Sequence, residues 1–400
     1  MQYDIIIIGA GIVGLATGYK ILGQKPGLKL LILEKEPGVA MHQTGNNSGV
    51  IHSGIYYRPG SLRALNCING YKQLLEFADR EGIPYELCGK IIVATNQQEE
   101  AILGSVLERG KQNGLDKVRM ISAEEMKEKE PHVFGVRAID VPYAGIIDFK
   151  AVAEKLAEIV IRKMDGNILF NQKVQNIYTR SGFSEVVTNQ ELFQTKLVIN
   201  TAGLHSDEIA SLTVPNLDLR IIPFRGEYMT IKKEREYLVK NLIYPTPDPN
   251  FPWLGVHLTR MIKGVVEAGP NAVFAFAKEG YKKSDVSFHD LVRSLGFAGF
   301  QKVMFKFMKF GIAEYYRSYN KTAFTKALQR LIPEIQKDDL LPGDAGVRAL
   351  AVGRNGEIID DFVFAENQWA INVLNAPSPA ATACLSIGDS VAEKAMKRFD

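Results

Sequence analysis

Gly9-Ala-Gly-Ile-Val-Gly14 has the GxGxxG spacing that suits a pyrophosphate. Gly9 permits a tight turn, Gly11 lets a phosphate approach the backbone, and Gly14 lets a helix press against a strand. Amides at the helix start then face the anion with the positive end of the helix dipole. Glu34 lies twenty residues beyond Gly14. It suits ribose hydroxyls and argues against a 2′-phosphate, hence against NADP. The fingerprint alone does not separate NAD from FAD. The segment His42–Tyr57 bears on that choice, because it is dense in Thr, Asn, Ser and Gly. Such a loop can line both a pyrophosphate and a flavin ring, and a nicotinamide site needs no such extension.

These residues require a strand, a loop, a helix and a strand in that order. The hydrophobic pattern supplies them at Tyr3–Ile8, 9–14, Leu15–Leu22 and Lys29–Glu34. A helix is expected over Ser61–Glu81, capped by Ser61 and stopped by Gly82. Lys90–Ala94 reads as a strand, and Gln97–Asn113, Ala123–Lys129 and Phe149–Met164 read as helices. Short β patterns run from Ile168 to Ala202, where Leu197–Asn200 reads as buried. Residues 219–275 alternate strand patterns with Pro-rich turns such as Tyr244–Asn250, and 285–336 read as mostly helical. Two strand-like runs flank Gly356, and a last helix is expected from about Thr382.

That order predicts an α/β protein. A Rossmann-like dinucleotide domain is expected from 1–85, 148–215 and 340–400. An α+β substrate or cap domain, with a mixed or antiparallel sheet, is expected from 86–147 and 216–339. The chain of 400 residues is long for one hydrophobic core. Its net charge of +3 argues against a nucleic-acid binder. Cys67, Cys88 and Cys384 form no CxxC pair, which fits a reducing compartment and no metal site. Ile5–Ile8 is too short for a signal peptide, and no apolar run reaches the ~18 residues of a span. The expected location is cytoplasmic, with at most peripheral contact on the inner face of a membrane.

The chain resembles the L-2-hydroxyglutarate dehydrogenase/oxidase family, part of the D-amino-acid-oxidase-like flavoproteins. The matching blocks include Asn47–Tyr57, Cys88-Gly-Lys90, Gly145-Ile-Ile-Asp148, Pro223-Phe-Arg-Gly-Glu-Tyr228, Leu254-Gly-Val-His257, Ala345-Gly-Val-Arg348 and Asn375–Thr382. They run the length of the chain. The resemblance implies FAD; attachment through His42 occurs in some relatives, but the local sequence does not require it, and noncovalent FAD is expected. Gly9, Gly11, Ile12, Val13, Gly14, Glu34 and Lys35 would hold its adenosine and pyrophosphate half. Gln43, Thr44, Asn47, Ser48, Gly49 and Val50 would hold the rest and the ring edge, with Val174, Ala202 and Gly203 closing the ADP side. Arg348, Pro379, Ala380, Ala381 and Thr382 would meet the isoalloxazine. A helix opening near Ala380 would offer free amides to the anionic reduced ring.

The implied reaction is oxidation of a CH–OH donor, L-2-hydroxyglutarate, to 2-oxoglutarate by hydride transfer to flavin N5. Arg225 and Arg348 are the candidate clamps for the acid's carboxylates, with Arg260 as a third. His52 and His257 are the candidate bases, and Tyr57 and Tyr228 could orient the substrate. Asn46 stands where the family pattern has histidine, and Leu350 where it has glutamine; either could shift the preferred acid. Electrons would pass to quinone or oxygen. In Phe300–Phe310, Lys302, Lys306 and Lys309 share one helical face, while Phe300, Met304 and Phe307 share another. That pattern fits a cap helix packed on its core, or a helix resting on an anionic membrane. Rival readings are an oxidase of another 2-hydroxy acid, of an amino acid or of an amine; a flavin-binding protein without turnover; and an NAD-binding module.

Overall fold

The computed structural model describes residues 2–249 and 254–399. Asn250, the end of the expected Pro-rich turn, lies outside the described residues. Ile5, Ile6 and Ile7 are fully buried, as are Leu30, Leu31 and Ile32. Such runs suit parallel strands covered on both faces. Each buried aliphatic side chain contributes about 1.5–3 kcal/mol.

Five parallel strands lie in the order Ala370–Asn375, Leu192–Asn200, Gln2–Ile8, Leu30–Leu33, Asn167–Leu169. In chain order that is fifth, fourth, first, second, third. The connection direction reverses between Gln2–Ile8 and Leu192–Asn200, which opens a crevice beyond their carboxyl ends. The helices Ile12–Gln24, Leu62–Glu81, Phe149–Arg162 and Cys384–Met396 supply much of the main core beside this sheet. Ser61 caps the second of them through the Ala64 amide, and Gly82 ends it in the left-handed region at φ 67°.

A second, ten-stranded and mostly antiparallel sheet forms the cap. It runs Ile358–Ile359, Leu340–Gly353, Leu219–Ile231, Val266–Gly269, His257–Arg260, Leu242–Pro245, Lys90–Ala94, Arg137–Val141, Arg119–Ile121, with Val273–Phe274 on the side. Leu340–Gly353, expected with the dinucleotide domain, pairs along Leu219–Ile231 in this cap sheet. Its alternation could not say which sheet it joins.

The last helix also differs from expectation. It spans Cys384–Met396, and residues 378–383 before it form turns. The region 285–336 holds the helices Phe288–Leu295, Ala298–Tyr319 and Lys321–Gln329. Phe300 and Val303 are buried, with Met304 and Phe307 packed against them, so the expected core-facing stripe of the middle helix is present. That helix bends at Phe307 (φ −109°, ψ 18°).

Candidate active site

A cavity of about 1920 Å³ runs from Glu34 at the edge of the parallel sheet to Arg348 in the cap sheet. Drug-sized ligands occupy roughly 300–1,000 Å³, so this space suits something longer. It opens at the switch point, where Gly9 and Thr201 follow two neighbouring strands.

At its first end the glycine loop behaves as its spacing predicts. Gly9 sits at φ +104°, and a Cβ on Gly14 would lie 2.1 Å from the Gly9 carbonyl oxygen. Gly11 meets only the Thr44 hydroxyl, at 3.5 Å from a Cβ. Among the described residues the Val13 and Gly14 amides have no protein acceptor, as a phosphate-facing helix start requires. Glu34 is held in place by the Ala10 amide at 2.8 Å and the Glu36 amide at 2.9 Å. Thr44 accepts the Ile12 amide at 3.1 Å, and Asn47 accepts the Gly49 amide at 2.8 Å. Gln43, Ser48, Val50, Val174, Ala202 and Gly203 also line the cavity. Gly14 and Gly49 lie behind this lining, where they allow close backbone packing.

Lys35 lines the cavity too, but its ammonium is engaged by Glu36, by Glu279 at 2.6 Å and by the His42 ring at 2.8 Å. Glu279 also binds His205 at 3.0 Å, so this cluster ties the cap to the dinucleotide domain. Lys278, buried against Asp207 at 2.6 Å, adds a second tie.

Near the last helix, Pro379, Ala380 and Ala381 line the cavity. The Ala380 amide is taken by Pro377, contrary to the free donor expected there. The Ala381 and Thr382 amides, by contrast, have no backbone acceptor among the described residues. The device survives, built by the turn that precedes the helix. Thr382 itself is fully buried behind this lining. Orphan amides at both ends, a ribose-type carboxylate and a long cavity together match an FAD lengthwise.

Beyond this track the cavity meets His52, Tyr57, Tyr228, His257 and Arg348. Burial pushes His52 down to about 3, helped by Lys90 and Arg63 nearby. Burial likewise pushes His257 down to about 3, with Arg348 and Lys90 adding to the shift. Both rings are therefore uncharged at neutral pH. His257 Nδ1 donates to the Gly255 carbonyl at 2.9 Å, which leaves its Nε2 lone pair open. The Tyr244 ring stacks on His257 with centroids 4.0 Å apart. Burial holds the Tyr57 hydroxyl well above its usual range and pushes Tyr228 up to about 12.

Arg348 donates to the Asn271 carbonyl at 3.2 Å, and no carboxylate among the described residues pairs with it. Arg225 is placed differently from expectation. Its guanidinium is buried, pairs with Glu227 at 3.0 Å and donates to the Gly280 and Lys282 carbonyls, away from the cavity. The next residue matters more to the site. A Cβ on Gly226 would sit 3.3 Å from the Arg348 guanidinium, so this glycine makes room for it. Arg260 pairs with Glu86 at 2.6 Å, also away from the cavity. Asn46 and Leu350, the two departures, both line the cavity. Tyr244 and Arg63 line it as well, and sequence reasoning passed over both. Tyr244 opens a Pro-rich run whose pattern signals a turn and gives no sign of a site residue.

Residues 4–394 match the model of a family described as FAD dependent oxidoreductase. The chain is 57% identical over 400 residues to the L-2-hydroxyglutarate dehydrogenase of Indibacter alkaliphilus, covering 100% of both. It is 42% identical over 416 residues to the mitochondrial L-2-hydroxyglutarate dehydrogenase of Homo sapiens, covering 100% of this chain and 90% of that one. Among solved structures, the L-alpha-glycerophosphate oxidase of Mycoplasma pneumoniae with FAD bound superposes with a TM-score of 0.81 at 25% identity. That match covers 99% of this chain and 95% of the other. Glycine oxidase from Geobacillus kaustophilus, at 15% identity and a TM-score of 0.75 over 99% and 95%, shares the fold. The glycine loop, the switch-point cavity and these full-length matches agree: the chain belongs to the FAD-dependent oxidoreductases, in the family of the L-2-hydroxyglutarate dehydrogenases.

Proposed function

We propose that this chain oxidises L-2-hydroxyglutarate to 2-oxoglutarate with FAD. The observation that carries the reading is Arg348, a cavity-lining guanidinium without a carboxylate partner among the described residues, whose charge reaches the uncharged His257 ring. An arginine fork binds a carboxylate through two parallel bonds. Full-length relatives named for this acid support its choice. FAD, when bound, supplies the acceptor for the hydride that leaves the carbinol carbon. His257 Nε2 takes the hydroxyl proton, since Nδ1 is committed to Gly255. Tyr228 stays protonated and donates to the substrate oxygen that becomes the carbonyl. Ala381, which lines the cavity, would offer its free amide to the flavin edge where negative charge collects.

The test is an anaerobic absorbance spectrum before and after adding the acid. Bleaching by the L but not the D acid supports cofactor, reaction and hand together. Oxidised flavin bleached only by another hydroxy acid, an amino acid or an amine would move the substrate. Flavin that none of these bleaches would make the chain a binder without turnover.

For reoxidation we propose a quinone reached at a membrane surface. The support is the paired helices Phe288–Leu295 and Ala298–Tyr319. They expose Phe288 at 81%, Phe305 at 78% and Ile312 at 65%, with Lys302, Lys306 and Lys309 exposed beside them. No helix among the described residues is long and apolar enough to cross a membrane, so the contact would be peripheral. Co-sedimentation with anionic but not neutral vesicles, and faster turnover with a soluble quinone than with oxygen, are expected. Equal partition to both vesicle types, or oxygen as the better acceptor, would overturn this.

A further inference from the structure

Lys90 opens the strand Lys90–Ala94 and is 2% exposed. Among the described residues no carboxylate pairs with it and no oxygen accepts from its ammonium. The nitrogen instead lies 4.6 Å from the centre of the Tyr56 ring and 4.7 Å from that of Tyr244. Two ring faces offset only part of the several kcal/mol that burying a lone ammonium costs. A second orphan stands beside it: the Tyr56 hydroxyl is buried and has no hydrogen-bond partner. Both flanking tyrosines line the cavity, and the Lys90 ammonium stands against their rings just behind that lining.

The cap sheet explains the placement. Lys90–Ala94, Leu242–Pro245 and His257–Arg260 are adjacent strands, carrying Lys90, Tyr244 and His257 in turn. The charge of Lys90 and that of Arg348 both reach His257. Two cations therefore act on the imidazole, and among the described residues neither pairs with a carboxylate.

We infer that Lys90, with the Tyr56 hydroxyl, is the subsite for the second carboxylate of the acid, and so the group that selects a dicarboxylate. This rests on the function proposed above. Arg348 takes the carboxylate beside the carbinol, and Lys90 takes the remote one. A dianion bridging them supplies the partner that each lacks.

The experiment compares L-2-hydroxyglutarate with L-2-hydroxypentanoate, which has the same carbon count and a methyl in place of the remote carboxylate. The holoenzyme forms of wild type, Lys90→Met, Lys90→Arg and Tyr56→Phe are assayed for kcat/KM with each acid. Binding of 2-oxoglutarate is followed by perturbation of the flavin spectrum. Lys90→Met should lower the ratio of kcat/KM for the two acids by on the order of a hundredfold, the scale of a lost charged hydrogen bond in a buried site. It should weaken 2-oxoglutarate binding to match, while the flavin spectrum without ligand stays that of wild type. Lys90→Arg should restore part of the ratio, and Tyr56→Phe should lower it less. A Lys90→Met enzyme that loads flavin and keeps the wild-type ratio would overturn the inference. A wild type that L-2-hydroxyglutarate does not bleach would instead overturn the function on which it rests.

Discussion

The Thr382 hydroxyl accepts the His52 backbone amide at 3.1 Å, joining segments 330 residues apart. The same hydroxyl donates to the Val50 carbonyl at 3.4 Å. It thus fastens the turn with the free Ala381 amide to the loop that carries His52. Thr382→Val keeps the shape and removes both bonds, leaving the half-buried His52 amide without that partner. The expected cost is about 1–3 kcal/mol in denaturant unfolding. Weaker flavin retention by equilibrium dialysis should accompany it, because the ring-side amides lose their anchor. Unchanged stability and flavin affinity would show that the segments hold each other by packing alone.

The glycine loop makes a contrast within one helix. Gly14→Ala drives a methyl to 2.1 Å from the Gly9 carbonyl oxygen, whereas Gly23→Ala meets nothing within 4 Å and is exposed. Gly14→Ala should abolish flavin binding or folding. Gly23→Ala should raise stability by about 0.5–1 kcal/mol, the ordinary helix preference of alanine over glycine. Thermal scans and the flavin absorbance of the purified variants check both.

Arg225 and Arg348 should separate by readout. Arg225 is buried in a pair with Glu227, so Arg225→Met takes away that carboxylate's nearest cation, leaving Lys283 at 3.6 Å, and should cost about 2–3 kcal/mol of stability. Arg348 has no such partner, so Arg348→Met should leave the unfolding midpoint nearly unchanged and raise KM at least tenfold. The opposite pattern would return Arg225 to the substrate.

That exchange of roles shows what the sequence could carry. Pro223–Tyr228 was legible as a motif, and it does serve the site, but through the space that Gly226 leaves for Arg348. A sequence gives residue type and alternation; it does not say which side of a strand faces the flavin. The same limit hid the role of Lys90, which is legible as the start of an apolar strand and the end of the Cys88-Gly-Lys90 block but not as a site residue. The glycine loop and Glu34 were legible because one short segment builds the whole device. The clamp was not, because Gly226, Asn271 and Arg348 meet only after the cap sheet closes.

The two imidazoles make stability depend on pH. Burial holds His52 and His257 at about 3, against ~6.5 in an unfolded chain. Between those values the unfolded state binds more protons, so stability falls as pH drops below about 6.5. The pair should cost roughly 3 kcal/mol between about pH 6.5 and 5. Replacing His257 with Gln should remove about half of that slope in denaturant titrations at a series of pH values. A slope that ignores the substitution would mean that His257 is charged when folded.

Lys90 acts with the same sign in a higher pH window. Burial pushes its ammonium down to about 7, from ~10.4 when unfolded. The folded state then binds the proton more weakly. The destabilisation is complete below about pH 7 and fades as pH rises toward 10.4. Lys90→Met should therefore raise the melting temperature by a few degrees at pH 7 and by less at pH 9.5, while dicarboxylate turnover falls. Only the protonated amine binds a carboxylate, so wild-type kcat/KM should decline above about pH 7. Lys90→Arg stays charged throughout and should abolish that decline. A residue kept for structure would lose stability on replacement and leave the pH profile alone. A gain in stability with a lost alkaline limb is the signature of a group held against its own burial cost for the sake of the acid it receives.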